Sequence, residues 1–323
     1  FKNLNKKDIK HTMPVETYQS ITADYFLKKA KSDSGFVTIS PATPSATGLT
    51  KDIREQLGDH YTDVGIAEEH AVAYASGIAK AGGTPVLSVM SSFIQRTYDQ
   101  LSQDLALNNS PATILIFGGG IYGADMTHLG IFDISMMSNI PNLVYLAPTN
   151  KEEYTAMLDW ATVQKEHPVA IRVPSGEVIS TGKPDTTDYS KLNKYKVLES
   201  GNEIAIIAAG DMLETGKALK KELSKKLNIS ATLINPIYLT GVDAEVLSNL
   251  KSNHILVITL ESGIIDGGFG EKVSRYYSDS PYVKVVNYGA KKEFTDRMTT
   301  EQLYKKYHLT PQLIMNDIIN YYR

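Results

Sequence analysis

Residues 84–117, TPVLSVMSSFIQRTYDQLSQDLALNNSPATILIF, decide the fold class. Two short apolar runs, 85–90 and 112–117, read as buried strands, and the stretch between them, 94–107, puts Ile94, Tyr98, Leu101 and Leu105 on one face of a helix. The same alternation extends both ways. Phe36–Ser40, 142–147 and 168–173 have the composition of buried strands, while Glu68–Lys80, rich in Ala, and 151–164 have helical patterns. Strands that alternate with helices imply a mostly parallel sheet covered on both faces.

From 174 to about 196 the chain turns polar, rich in Ser, Thr, Gly, Asp and Pro and without apolar period, which is the composition of a linker. Strand patterns resume at 203–209, 231–237, 254–260 and 282–288, separated by helical stretches at 212–227, 243–250 and 269–277 and closed by one at 302–322. The expected organisation is therefore α/β, two doubly wound domains, with residues 1–178 and 197–323 joined by a linker over 179–196.

Composition narrows the function classes. Of 323 residues, 42% are apolar and 21% charged, as in ordinary globular chains, and the net charge of -3 without a long Lys/Arg run gives no footprint for nucleic acid. The chain has no cysteine, which excludes disulfides, thiolate nucleophiles and Cys-ligated zinc. No stretch approaches the length of a membrane span, and residues 1–10 are basic and polar without the apolar core of a signal peptide, so a cytoplasmic location is expected. The opening at Phe1 rather than Met points to an internal portion of a longer product, or to a trimmed terminus.

Three segments carry residue types suited to chemistry. Tyr61-Thr62-Asp63-Val64-Gly65-Ile66-Ala67-Glu68-Glu69-His70 ends in two acids and a histidine at a helix start, where acids also simply complement the macrodipole. Ser91-Ser92-Phe93-Ile94-Gln95-Arg96-Thr97-Tyr98-Asp99-Gln100 follows a strand, and Phe93 there fits a core aromatic as well as a ligand contact. Phe117-Gly118-Gly119-Gly120-Ile121-Tyr122-Gly123-Ala124-Asp125-Met126-Thr127-His128-Leu129-Gly130 is a glycine-dense loop without the register of a phosphate cradle, and a mobile surface loop is its plain alternative. Ligands of open α/β sheets collect at the carboxyl ends of strands, so these segments can face one crevice.

Together these segments resemble a known family. GIAEEHAV (65–72), SFIQRTYDQ (92–100), GADMTHLGIFDIS (123–135) and IPNLVYLAPTNKEE (140–153) are similar to the second half of 1-deoxy-D-xylulose-5-phosphate synthases, within the transketolase superfamily. INPIYL (234–239) and VITLESG (257–263) fit the last domain of that family, so the resemblance spans about residues 15–320. It implies a transketolase-like pyrimidine-binding domain followed by the smaller C-terminal domain. It also implies thiamine diphosphate as cofactor, a small-molecule substrate and a homodimer.

The roles implied are specific. Glu68 matches the glutamate that hydrogen-bonds the cofactor's aminopyrimidine and so promotes loss of the thiazolium C2 proton. Phe93 matches the aromatic residue that stacks on the pyrimidine, and Arg96 and Asp99 order the surrounding site. His128, with Asp125, matches residues that meet the substrate or intermediate. The Gly-Asp-Gly segment with a later Asn, which binds magnesium and the diphosphate, occurs nowhere in the chain. The magnesium site is expected in an absent N-terminal diphosphate-binding domain or partner subunit.

Departures bear on the acceptor. The family's Asp-Arg-Ala-Gly is Phe117-Gly118-Gly119-Gly120 here, the second arginine of Arg-Tyr-Pro-Arg-Gly falls on Ser175, and the tyrosine three residues before the stacking Phe is Met90. The loop is also one residue shorter between Asp125 and His128. Family arginines at these places grip the phosphate of glyceraldehyde 3-phosphate, and neither Gly nor Ser replaces a bidentate charged contact. Arg172 is the nearby candidate to compensate. The readings left are a carboligase of the synthase type, a split transketolase subunit, and a divergent homologue without turnover.

Overall fold

The computed structural model describes residues 15–322, so the reading of residues 1–10 falls outside the described residues. The first sheet has six strands: β1 (Phe36–Ser40), β2 (Tyr61–Asp63), β3 (Thr84–Met90), β4 (Thr113–Phe117), β5 (Val144–Leu146) and β6 (Val169–Arg172). Their order is β2-β1-β3-β4-β6-β5, every pair parallel. β4 is buried at every position, as expected where helices cover both faces.

Alternate residues feed two cores. Ile39, Leu87, Val89, Ile114 and Ile116 pack towards the helix Glu68–Lys80, while Phe36, Val86, Leu115 and Phe117 pack with Tyr18, Phe26, Tyr154 and Met157 on the other side. In chain order the helices of this half are α1 (Tyr18–Ser32), α2 (Lys51–Leu57), α3 (Glu68–Lys80), α4 (Ser91–Ile94), α5 (Tyr98–Gln100), α6 (Asp133–Met137) and α7 (Lys151–Val163).

Three local differences from the sequence reading have physical reasons. α1 precedes the region where strand patterns begin, and its buried face mixes Tyr18, Thr22 and Phe26, which dilutes the apolar period. β2 is a three-residue edge strand, too short to show alternation. The stretch 94–107 is no single α-helix: short α and 3₁₀ turns lead into a π-helical segment, Leu101–Ala106, which still buries Ile94, Leu101 and Leu105 but leaves Tyr98 half-exposed.

The second sheet comprises β7 (Lys196–Glu199), β8 (Glu203–Ala208), β9 (Thr232–Asn235), β10 (His254–Ile264) and β11 (Lys284–Ala290), in the order β11-β10-β8-β9-β7. It is parallel except for β7, an antiparallel edge strand that the polar composition before it conceals. Helices α8 (Leu213–Leu227), α9 (Ala244–Leu250), α10 (Phe269–Tyr276), α11 (Thr300–Lys306) and α12 (Pro311–Tyr322) cover both faces. The expected closing helix is two helices, broken where His308 takes φ +55° and Pro311 begins the next.

The two halves share one core cluster and a backbone seam in which Ala147 N–H donates to Ile237 O at 2.8 Å and Leu239 N–H to Tyr145 O at 2.8 Å. Asn235 completes the joint through its amide, which donates to the buried Glu153 carboxylate at 3.1 Å. No helix among the described residues is long and apolar enough to cross a membrane.

Candidate functional site

Because the first sheet is parallel, the segments after β2, β3 and β4 emerge on one edge, and these are the segments that carry Glu68, Phe93 with Arg96, and Asp125 with His128. Asp63 Oδ1 accepts from Gly65 N–H at 2.8 Å and from Ala42 N–H at 3.1 Å. Gly65 turns the chain at φ +74°, and α3 starts at Glu68.

Helix-dipole complementarity applies equally to Glu68 and Glu69, yet Glu69 is exposed and Glu68 is only 3% exposed. Its Oε2 accepts from Arg96 Nη1 at 3.2 Å, while Arg96 itself remains about half in solvent. No hydrogen bond engages Oε1 among the described residues, so one oxygen of a buried carboxyl is available to a ligand. Asp99 follows on the exposed turn α5, and no hydrogen bond or ion pair joins it to Glu68 among the described residues.

Phe93 lies partly buried, its ring edge-to-face with His128 at 5.6 Å between centroids. His128 Nδ1 stands 3.1 Å from Asp125 Oδ1 and 2.8 Å from Thr127 Oγ1. The Thr127 hydroxyl and amide donate to Asp125, and with His128 they hold its pKa down at about 2, so the carboxylate is ionised throughout the neutral range. An ionised carboxylate only accepts, so Nδ1 of His128 is the donor in this contact. The structure thus brings Glu68 to Arg96, and Phe93 to His128 and Asp125.

The substituted positions touch one another. Gly118 has φ +65°, and a Cβ there would stand 2.8 Å from Met90 Cε and 3.2 Å from the Tyr122 hydroxyl. Tyr122 donates to Gly118 O at 2.6 Å, and its ring also lies against Gly130. Ser175 donates to Gly119 O at 3.3 Å. Met90 and Tyr122 therefore fill the start of the path a side chain at 118 would take. In the sequence Tyr122 carries no signal beyond being an aromatic residue among glycines.

Arg172 does not compensate. It is 6% exposed and forms a two-pronged contact with Asp133, Nε to Oδ2 at 2.7 Å and Nη2 to Oδ1 at 3.1 Å, while Nη2 also donates to Ser262 O at 2.9 Å. Asp133 and Arg172 bury their charges together, and the Tyr145 hydroxyl adds a donor to Asp133. Asp211, 3.8 Å from Arg172 Nη1, has its pKa raised by burial against the pull of that guanidinium. Among the described residues no group of three acids or histidines could hold a metal ion.

Residues 17–179 match the family described as "Transketolase, pyrimidine binding domain" and residues 193–314 match "Transketolase, C-terminal domain"; the chain belongs to the transketolase family. Curated relatives named 1-deoxy-D-xylulose-5-phosphate synthase are similar over nearly all of it. The one from Clostridium tetani is 39% identical over 305 residues, 94% of this chain and 48% of the relative. The one from Symbiobacterium thermophilum is 35% identical over 297 residues, 92% and 45% respectively. The chain spans about half the length of the curated relatives it matches.

Among solved structures, "Split gene transketolase, inactive beta4 tetramer" superposes with TM-score 0.79 at 21% identity, covering 94% of this chain and 97% of that one. The transketolase of Campylobacter jejuni gives 0.74 at 14% identity, covering 94% and 46%. At these identities the likeness is one of fold.

Proposed function

We propose that this chain supplies the pyrimidine-binding half of the active site of a thiamine-diphosphate-dependent carboligase of the 1-deoxy-D-xylulose-5-phosphate synthase type. The enzyme would decarboxylate pyruvate and transfer the two-carbon unit to an aldehyde. The observation that carries this reading is the buried Glu68 with a free oxygen, on the same sheet edge as Phe93 and the Asp125–His128 pair. Thiamine diphosphate, when bound, supplies the nucleophilic carbon that such a transfer needs.

The chain's own residues do the rest. Glu68 would hold the aminopyrimidine through its free oxygen and supply the proton-exchanging carboxyl there, Arg96 fixes the other oxygen, and Phe93 would offer its ring as a stacking face. His128 Nε2 receives or returns a proton at the substrate, with Asp125 holding the tautomer that makes this possible. Magnesium and the diphosphate would be gripped by a diphosphate-binding half, in the same protein or on a partner. The test is to supply that half and measure carbon dioxide release from pyruvate with an aldehyde present. Release that depends on this chain supports the reading, and none with either phosphorylated or plain aldehydes sinks it.

A second reading, a subunit of a split transketolase, is favoured by the likeness in fold to the split gene transketolase, 97% of which this chain covers. Ketose-to-aldose transfer without pyruvate decarboxylation would select it.

A homodimer belongs to either reading. Of the small residues on α3, Ala75 and Ser76 are used within the chain, Ser76 donating to Asp104 O at 2.7 Å. His70, Ala73, Tyr74 and Gly77, spaced along one outer stripe, are left to meet a mate, beside the exposed Ile66. Sedimentation at micromolar concentration should give a dimer or a multiple of it, and a strict monomer would refute the stripe as an interface.

A further inference from the structure

We infer that Arg172 is the positioning residue of the histidine loop, tying its base to both domains so that Asp125 and His128 keep their place in the crevice. The loop leaves β4 at Gly118 and rejoins regular structure just before α6, and Arg172, the last residue of β6, lies beneath both its ends. At the exit, Gly130 O accepts from Arg172 Nη2 at 3.3 Å and from Gly120 N–H at 2.6 Å. At the entry, Ile121 N–H donates to Ser262 Oγ at 2.9 Å, and the carbonyl of that same Ser262, on β10, accepts from Arg172 Nη2 at 2.9 Å.

Gly119 completes the seat. A Cβ at 119 would come within 2.8 Å of Arg172 Nε and 3.0 Å of Asp133 Oδ2, so the entry strand lies directly on the guanidinium and its carboxylate. Asp133 in turn begins α6, the element that receives the loop. One planar fork thus joins β6, α6, the loop exit and β10 of the second domain. Between these anchors residues 123–128 are mostly exposed, with Gly123 N–H donating to Thr300 Oγ1 at 3.2 Å and Arg297 N–H to Ala124 O at 3.0 Å, so the position of His128 depends in part on how firmly the ends are held. A lysine has the charge but not the fixed geometry to serve four acceptors at once.

The part of this inference that concerns acceptor chemistry rests on the proposed function, and the test separates the two. Arg172→Lys keeps a charge opposite Asp133. The double variant Arg172→Met with Asp133→Asn removes both charges of that pair together, while also taking the guanidinium from Asp211. In the complete protein, amide hydrogen exchange at Gly120 and Ile121 should lose about tenfold or more of its protection in both variants, the loss expected from a charge-assisted hydrogen bond, while Leu115 in β4 keeps its own.

In the assembled enzyme the acceptor KM should rise by about tenfold, with the donor half-reaction, pyruvate decarboxylation read with an artificial electron acceptor, changed by less than about twofold. Unchanged protection at Gly120 and Ile121, an equal fall of both half-reactions, or unfolding of both variants would overturn the inference. If the unmodified enzyme releases no carbon dioxide from pyruvate, the proposed function fails and the exchange comparison alone decides the clamp.

Discussion

Glu68→Gln in the assembled enzyme is expected to lower turnover by about a hundred- to ten-thousandfold, the range typical of losing a positioned general acid–base group. Gln keeps the size and an oxygen for Arg96, so the surroundings of α3 remain in place. Arg96 is half-exposed, so its charge stays hydrated when the carboxylate is gone, and stability should change by no more than about 1 kcal/mol. The expected pattern is a protein that melts normally, turns over poorly, and exchanges the cofactor's C2 proton slowly with solvent deuterium. Turnover within about tenfold of the parent would remove Glu68 from the proposed role.

The second large effect concerns the acceptor. Gly118 and Ser175 offer no cationic fork, Met90 and Tyr122 occupy the space beside Gly118, and Arg172 is spent on Asp133 and backbone carbonyls. Each lost hydrogen bond to a charged group typically costs about 1.5 to 3 kcal/mol. Two missing arginines therefore correspond to a hundredfold or more in phosphate recognition, at roughly 1.4 kcal/mol per tenfold.

The ratio of kcat/KM for glyceraldehyde 3-phosphate to that for glyceraldehyde should thus be small. Gly118→Arg alone should not raise it, since the residue would have to adopt φ +65° with its Cβ against Met90 Cε at 2.8 Å. A preference for the phosphorylated aldehyde above about a thousandfold, the order expected of two bidentate arginines, would contradict this and imply cations contributed by the diphosphate-binding half.

The α/β architecture was legible because the central strands are buried on both faces and read as uninterrupted apolar runs, as in the TILIF of β4. Edge elements were not. β2 and β7 are short and half-exposed, and the π-helical turn at Leu101–Ala106 keeps an apolar spacing that a helical pattern also satisfies. Within the site, the segments of Phe93 with Arg96 and of Asp125 with His128 stood out because each follows a legible strand, whereas that of Glu68 follows the short β2 and stood out only by its acids at a helix start.

Their partners were harder to read, since they depend on distant pairing. Asp133, Arg172 and Ser262 lie far apart in sequence and meet only through the domain seam. The sequence neighbours of Arg172 suit a reserve for substrate phosphate. Its burial against Asp133 is a tertiary fact that no local pattern carries.

The central claim, that this chain holds half of a cofactor site, is tested most directly by calorimetric titration of thiamine diphosphate with magnesium, first into the chain alone and then with the diphosphate-binding half supplied. Much of the affinity for such a cofactor comes from its anionic diphosphate and the metal ion that accompanies it. The chain alone should therefore bind weakly or not at all, and saturable binding should appear on assembly. Low-micromolar binding by the chain alone would contradict the account.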